Sequence, residues 1–494
     1  MKLTDLLAEL SPLTDLPDAE ICEITERSTS AAPHSLFVCI PGAVQDGHSY
    51  APDAYARGCR AFLAERPLEL PADAAVICVP NTRACLGRLA AKLYGPLSPD
   101  LRLIGITGTK GKTTTAQMIT HILNRNCIPT GYIGTNGISF GKVRRSTVNT
   151  TPDPVTLWKT LREMQAHGIA AVVLEVSSQA LMQYRVVGLP FDTVLFTNLF
   201  PDHIGPREHQ SFDEYKNCKK MLFSDYGARI AIVNIGDPHA KEMLACTSAE
   251  KILRCGVNIP AAELVATNVT LGRQGALPCI RFDLSSNAST TIPCVLPLTG
   301  KVNACNAVLA IACAQYCFSI PLKVAAESLS DVSVEGRSQV IPLPNGACVI
   351  IDYAHNGESL RQLLSTFREY RPHRLLCLFG SIGERAKLRR RELGQAAAEL
   401  SDVCILTSDN PGKESPEAIL DEISSAVEEY DTPYLRITDR TEAVLTALRL
   451  LQPGDILLLA GKGHENYQLI GTEKIPFSEK ELIQQYTKQS LLPS

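Results

Sequence analysis

No stretch of this chain approaches the ~20 consecutive apolar residues that a membrane-spanning helix requires. A charged-then-apolar leader is missing too: Met1-Lys2-Leu3-Thr4-Asp5-Leu6-Leu7 runs straight into an amphipathic segment. Neither sign of charge is in large excess. A formal net charge of −4 gives no bulk basic footprint for nucleic acid. No Cys-x-x-Cys pair occurs among the 17 cysteines, which removes the usual zinc and thioredoxin-type spacings. Their number is odd, and many sit in apolar runs such as Phe37-Val38-Cys39-Ile40 and Val76-Ile77-Cys78-Val79. Cys305, Cys313 and Cys317 share one helical face, which suits reduced core thiols. Internal repeats and low-complexity tracts are also lacking. These absences point to a cytoplasmic protein with no nucleic-acid partner and no membrane span.

What remains is ordinary globular material, 45% hydrophobic and 20% charged over 494 residues. At ~150 residues per domain that length implies about three domains. Residues 1–98 read as a small α/β unit, with a strand running from Ser35 through Ile40 to a turn at Pro41-Gly42, and a linker at Pro96-Leu97-Ser98-Pro99. Residues 99–337 alternate strands and helices, which implies a mostly parallel sheet. Residues 338–494 restart the alternation at Ala347–Asp352 and close near Asp455–Gly461 as a second doubly wound domain.

The chemical signal lies between a short apolar strand at Leu101–Ile104 and a helical pattern from Ala116. Gly108-Thr109-Lys110-Gly111-Lys112-Thr113-Thr114 has the strand, glycine-rich turn and helix order that binds phosphate. Glycines admit phosphate oxygens to backbone N–H groups, and the helix N-terminus adds partial positive charge. Lys112 is placed to reach the outer phosphates of ATP, and the Thr113 hydroxyl to hold Mg²⁺. The longer loop pattern needs glycine where Ile106 stands, so this is the shorter form. Glu175 ends the apolar run Ala170–Leu174, and His203 follows the run Asp192–Asn198. Ligands of parallel sheets sit at such strand ends. Gly461-Lys462-Gly463-His464 reads as a possible anion-binding turn.

Six motifs occur in order: the loop above, Asn149-Thr150-Thr151-Pro152, Leu174-Glu175-Val176-Ser177-Ser178, Asp352-Tyr353-Ala354-His355, Asp409-Asn410-Pro411 and Ala460-Gly461-Lys462-Gly463-His464-Glu465. Together they resemble the Mur ligases of peptidoglycan synthesis, most closely the MurE type. The resemblance spans essentially the whole chain. It implies a three-domain α/β architecture, with a central P-loop domain and a C-terminal Rossmann-like domain. It also implies an ATP-dependent acid–amino-acid ligase, acting through an acyl phosphate and releasing ADP and phosphate. The implied partners are small molecules, and a monomer is expected.

By the same resemblance, Lys112, Glu175, His203 and Lys219 are catalytic. Thr113, Glu175, His203 and a carbamylated Lys219 are the Mg²⁺ ligands. ATP is held by Gly108, Thr109, Lys110, Gly111, Lys112, Thr113 and Thr114, with Asn303 and Asn306 on the adenine side, Arg337 at a hinge and Asp352 at the ribose. The UDP-muramoyl peptide falls to Ser28, Asn149, Thr150, Thr151, Ser177 and Arg185. The incoming amino acid falls to Arg385, Asp409, Asn410, Gly461 and Glu465.

Three departures stand out. Gln179 follows the paired serines where many relatives carry His. The segment Asp202–His209 is two residues longer than the common form. Enzymes that take meso-diaminopimelate usually show Asp-Asn-Pro-Arg, whereas here Gly412 follows Pro411. Without that Arg the expected preference is a diamino acid with one carboxylate, such as L-lysine, with Lys413 or Arg385 as possible substitutes. The alternatives are another amide ligase of the superfamily, such as a folylpolyglutamate synthase, or a catalytically silent nucleotide-binding scaffold.

Overall fold

Runs of Val, Ile, Leu and Phe form the strands, and most strands that carry loops of interest are parallel. A computed structural model describes the chain except residues 11–18, 43–44, 206–207, 276, 287–290, 385–387 and 491–494. It divides into two units, Met1–Arg254 and Cys255–Ser494.

The first unit holds two sheets. The smaller joins β1 (Glu23–Thr25), β2 (Ser35–Val38), β3 (Ala61–Ala64) and β4 (Ala75–Cys78) in that order, all parallel. The larger is built from β5 (Arg102–Thr107), β6 (Thr130–Gly134), β7 (Gly137–Phe140), β8 (Val143–Arg145), β9 (Ala171–Glu175), β10 (Thr193–Phe196) and β11 (Ile230–Asn234). Its order is β11-β10-β5-β9-β6-β7-β8. The five strands from β11 to β6 are parallel, while β7 and β8 return as an antiparallel meander. The carboxyl ends of β5, β6, β9 and β10 therefore lie along one edge, where ligands collect in such sheets.

Helix Phe212–Ser224 begins at Ser211, whose Oγ accepts from the Glu214 N–H, with Asp213 and Glu214 in the first turn. Its buried positions Tyr215, Cys218, Lys219, Leu222 and Phe223 recur at helical spacing. Lys219 thus faces inward with the apolar stripe, not outward with the charges.

In the second unit, β12 (Lys251–Val257) pairs in parallel with β13 (Leu264–Gln274), which continues antiparallel through β14 (Leu277–Ser286) to β15 (Thr291–Leu296). This antiparallel stretch departs from the expected uniform βαβ alternation. A six-stranded sheet follows, made of β16 (Gln339–Pro342), β17 (Cys348–Asp352), β18 (Leu375–Phe379), β19 (Val403–Leu406), β20 (Tyr434–Arg436) and β21 (Ile456–Ala460). Its order is β16-β17-β21-β18-β19-β20, parallel except for β16. Side chains alternate between two cores: Ile350, Cys377, Leu406 and Leu458 on one face, Ile351, Leu378, Ile405 and Leu459 on the other. The hairpin β22 (Tyr467–Ile470) and β23 (Glu473–Pro476) stands beside it in sequence.

All 17 cysteines are free. Cys39 is buried as expected, but Cys78 is exposed at the end of its strand.

Candidate active site

The glycine-rich loop joins β5 to helix Lys112–Arg125, and Gly108 and Gly111 both carry positive φ. Lys112 Nζ donates to the carbonyls of Gly108 (2.8 Å) and Thr109 (3.0 Å). Thr109 accepts a hydrogen bond from the Tyr215 hydroxyl at 3.0 Å, and Lys110 N–H donates to Asn198 Oδ1 at 2.9 Å. The loop is thus fastened to helix Phe212–Ser224 and to the end of β10.

Thr113 Oγ1 donates to Glu175 Oε2 at 2.9 Å. Glu175 is fully buried and also accepts from Tyr132 Oη (2.5 Å), the Thr135 N–H (3.0 Å) and Thr135 Oγ1 (3.2 Å). Four donors from three directions hold this carboxylate at the edge of the sheet. Burial first, and the Glu175 charge second, push the Tyr132 hydroxyl well above its ordinary pKa, so it stays a proton donor. Tyr132 and Thr135 carry no motif. Their place at the end of β6, beside β9, is the one signal that could have found them.

Lys219 Nζ donates to the Gly108 carbonyl at 2.8 Å, the acceptor that Lys112 also uses. Burial, followed by the Lys112 charge, holds its pKa well below the ordinary lysine value. His203 approaches this group through Tyr215: its ring centroid lies 6.0 Å from that of Tyr215, over which Lys219 Nζ sits at 4.6 Å. The His203 ring is about half exposed and lies 3.2 Å from Glu208 Oε1. Among the described residues, no three His, Cys, Asp or Glu side chains come close enough to hold a metal ion. Of the residues expected to hold Mg²⁺, Thr113 and Glu175 are in direct contact.

A cavity of about 340 Å³ opens in the same unit. Arg27, Arg83, Arg145 and Arg185 line it against two carboxylates, Glu26 and Asp153. Burial, then the charge of Asp153, raises the Glu26 pKa. Asn149 and Arg185 line the cavity, whereas Ser28 is represented by its neighbours Glu26 and Arg27. Thr151 is buried, donates to the Glu175 carbonyl at 2.8 Å, and accepts from Arg185 Nη1 through its own carbonyl at 2.8 Å. The Ser177 N–H donates to Thr151 Oγ1 at 3.1 Å, and Thr150 Oγ1 lies 3.1 Å from Thr135 Oγ1. These contacts connect the cavity wall to the Glu175 network. Arg83 and Arg145 were not singled out by sequence, because they lie outside every motif.

In the second unit, Asn303 and Asn306 sit together on helix Val302–Phe318, with Asn306 Nδ2 donating to Asn303 Oδ1 at 2.7 Å. Asp352 accepts from the Ser338 N–H at 2.6 Å and the Ala354 N–H at 2.8 Å, and Arg337 stacks over the Tyr353 ring at 5.4 Å. Asp409, Asn410, Gly461 and Glu465 also converge. Asn410 Nδ2 donates to Glu465 Oε2 at 2.9 Å, and Gly461 packs against the Asp409 carboxylate. Their hub is Lys462, fully buried, with Nζ 2.5 Å from Asn410 Oδ1 and 2.9 Å from the Tyr467 carbonyl. It also lies 3.2 Å from Asp409 Oδ1, without the alignment of a hydrogen bond. Within the turn read as anion-binding, the Lys462 ammonium is thus surrounded by protein groups. Arg385 lies outside the described residues.

Three family models match the chain in order. They are Mur ligase family, catalytic domain over residues 20–94, Mur ligase middle domain over 106–314, and Mur ligase, glutamate ligase domain over 336–463. The UDP-N-acetylmuramoyl-L-alanyl-D-glutamate--2,6-diaminopimelate ligase of Caldanaerobacter subterraneus subsp. tengcongensis is 34% identical, across 99% of this chain and 100% of its own. The chain belongs to the Mur ligase family. The enzyme of the same name from Chlorobaculum tepidum is 37% identical over 98% of this chain and 96% of its own. A solved structure of a ligase of this name superposes with a TM-score of 0.72 at 26% identity, covering 100% of both chains. As a Mur ligase, this protein is an ATP-dependent enzyme that forms amide bonds.

These relatives are named for diaminopimelate, so the expected lysine preference gains no support from them. The structure supplies a second reason for Gly412. Its φ is +58°, its N–H donates to the Leu469 carbonyl at 3.1 Å, and its carbonyl accepts from Gly471 at 2.7 Å. That left-handed, doubly bonded backbone favours glycine whatever the substrate.

Proposed function

We propose that this Mur ligase joins one of the two free glutamate carboxylates of UDP-N-acetylmuramoyl-L-alanyl-D-glutamate to an amino group of a diamino acid, with diaminopimelate favoured by the names of its relatives. The observation that carries the proposal is the cavity lined by four arginines and two carboxylates in the same unit as the phosphate-binding loop. Its positive balance suits a diphosphate, which guanidinium groups bind as forks.

The chemistry needs two steps. A carboxylate oxygen of the substrate bonds to the γ-phosphorus of ATP as the bond to ADP breaks. The incoming amine then bonds to the acyl carbon, the C–O bond to phosphate breaks, and the nitrogen loses a proton. Lys112 and the loop N–H groups offset the charge of the meeting anions. Mg²⁺ would supply further charge neutralisation between them. The paired oxygens of Thr113 and Glu175 suit that hard cation, and we assign them to the first ion, with His203 and Lys219 assigned to a second. Burial lowers the Lys219 pKa and so favours the free amine, which can add CO₂ to form a carbamate with loss of a proton. Asp409, Asn410 and Glu465 are assigned to the incoming amino acid. The domain limits 1–98, 99–337 and 338–494 belong to the same proposal, as do a monomeric state and a cytoplasmic location, the location alone being supported by seventeen free thiols.

The test is incubation with UDP-muramoyl-Ala-Glu, ATP and a panel of amines, with mass spectrometry of the product and phosphate release measured together. L-Lysine and L-ornithine enter the panel as competitors, because position 412 offers no cation. Phosphate release that ignores the UDP-dipeptide, or that responds to a folate instead, would overturn the proposal.

A further inference from the structure

We propose that Arg440 and Glu479 are positioning residues that latch the two loops of the amino-acid pocket at a fixed separation. The inference rests on the assignment of Asp409, Asn410 and Glu465 to the incoming amino acid.

Asp409–Asn410 follow β19, and Gly461–Glu465 follow β21. These strands are not neighbours: β18 lies between them in the sheet, so no backbone ladder ties their ends together. Asn410 and Lys462 join the loops near their tips, and Arg440 joins them at their roots. Its Nη1 donates to the Ser408 carbonyl at 3.1 Å and its Nη2 to the Ala460 carbonyl at 3.0 Å. Those carbonyls immediately precede Asp409 and Gly461. A planar guanidinium can hold two acceptors in set directions, which a lysine ammonium cannot.

Arg440 opens helix Arg440–Leu450 and is 1% exposed. Its counter-ion, Glu479, opens helix Glu479–Ser490 and accepts from Nε at 2.9 Å and Nη2 at 2.7 Å through Oε1. Stability alone does not explain the pair, since buried ion pairs can often be replaced by apolar residues without loss. Two fork bonds aimed at the roots of both pocket loops give it a second task.

That distinction sets the experiment. The double variant Arg440→Met with Glu479→Leu removes both charges while filling the space, and Arg440→Lys keeps the charge but loses the fork. Each is measured for thermal midpoint, for acceptor KM, and for acyl phosphate trapped by hydroxylamine in the absence of amino acid. The double variant is expected to fold, to raise acceptor KM by about tenfold or more, and to trap acyl phosphate within about twofold of wild type. Arg440→Lys should fall between. Amide exchange over residues 408–410 and 461–465 should accelerate in every folded variant, and this readout needs no knowledge of the acceptor. Wild-type exchange in those loops would overturn the latch even if the enzyme used some other amine. An unchanged acceptor KM, or an equal fall in both half-reactions, would also overturn it. If wild type traps acyl phosphate yet ligates no diamino acid, the acceptor assignment fails instead, and the exchange data still judge the latch.

Discussion

Lys112 and Lys219 share one acceptor, the Gly108 carbonyl, at 2.8 Å each. Two ammonium groups so placed repel, and the more deeply buried Lys219 is the one driven toward neutrality. Replacing Lys112 with Ala should cut ligation by about 10²–10³-fold, the scale of one lost electrostatic contact in a transition state. Circular dichroism should show the fold intact, and near-normal turnover would sink the assignment of the phosphate site. Glu26 makes a different prediction. Its folded-state pKa is raised by burial and by Asp153, so the folded protein holds that proton more tightly than the unfolded chain. The stability it contributes is full below the ordinary carboxylate range and is lost as pH rises through the raised value. Glu26→Gln should flatten that decline when melting temperature is followed from pH ~4 to pH ~7. An unchanged profile would count against the buried environment of Glu26.

At the scale of elements, the parallel strands do the aiming. The ends of β6 and β9 place Tyr132, Thr135 and Glu175 in one network, and Gly134 leaves room for it. A Cβ at Gly134 would collide with both Glu175 Oε1 and the Tyr132 hydroxyl. Gly134→Ala is thus expected to disturb the carboxylate and to raise the Mg²⁺ concentration needed for half-maximal ATP turnover by about tenfold, with secondary structure kept. A wild-type Mg²⁺ dependence would separate Glu175 from metal binding. The sequence made Glu175 visible, since an acid closing an apolar run is an unusual ending for a buried strand. Tyr132 and Thr135 were hidden because their partner is distant in sequence. The partners of Lys462 were hidden for a related reason. Glycines around a lysine suggest a phosphate turn, but only the folded chain shows Asn410, Asp409 and Tyr467 already surrounding the ammonium. Lys219 was readable as a site through family resemblance, while the reason for its burial lies in the helical stripe it shares with Tyr215, Leu222 and Phe223.

Across the whole molecule, alternating apolar runs announced the α/β class and most of the parallel strands. They did not announce the antiparallel stretch β13–β15, whose side chains alternate like any half-buried strand and whose direction depends on pairing. Cysteine placement offers a global check. Cys22, Cys78 and Cys127 are exposed, and burial raises the pKa of Cys255 and Cys377 strongly, which keeps those thiols protonated and inert. Brief alkylation of the native protein should label the three exposed positions first, with all seventeen titrating after denaturation without reductant. A denatured count below seventeen would reveal a disulfide.

The Arg440–Glu479 pair also has a bearing on how the molecule is made. Glu479 follows Arg440 by 39 positions, and it follows every other side chain assigned a role above. While the ribosome works through that interval, Arg440 is a cation bound for a sealed interior with no counter-charge, and sealing an unpaired ion costs several kcal/mol. The nascent chain can complete its phosphate-binding loop and its arginine-lined cavity before then. The amino-acid pocket has to wait, so the order of synthesis becomes an order of maturation, with the step that activates the carboxylate assembled before the step that spends it.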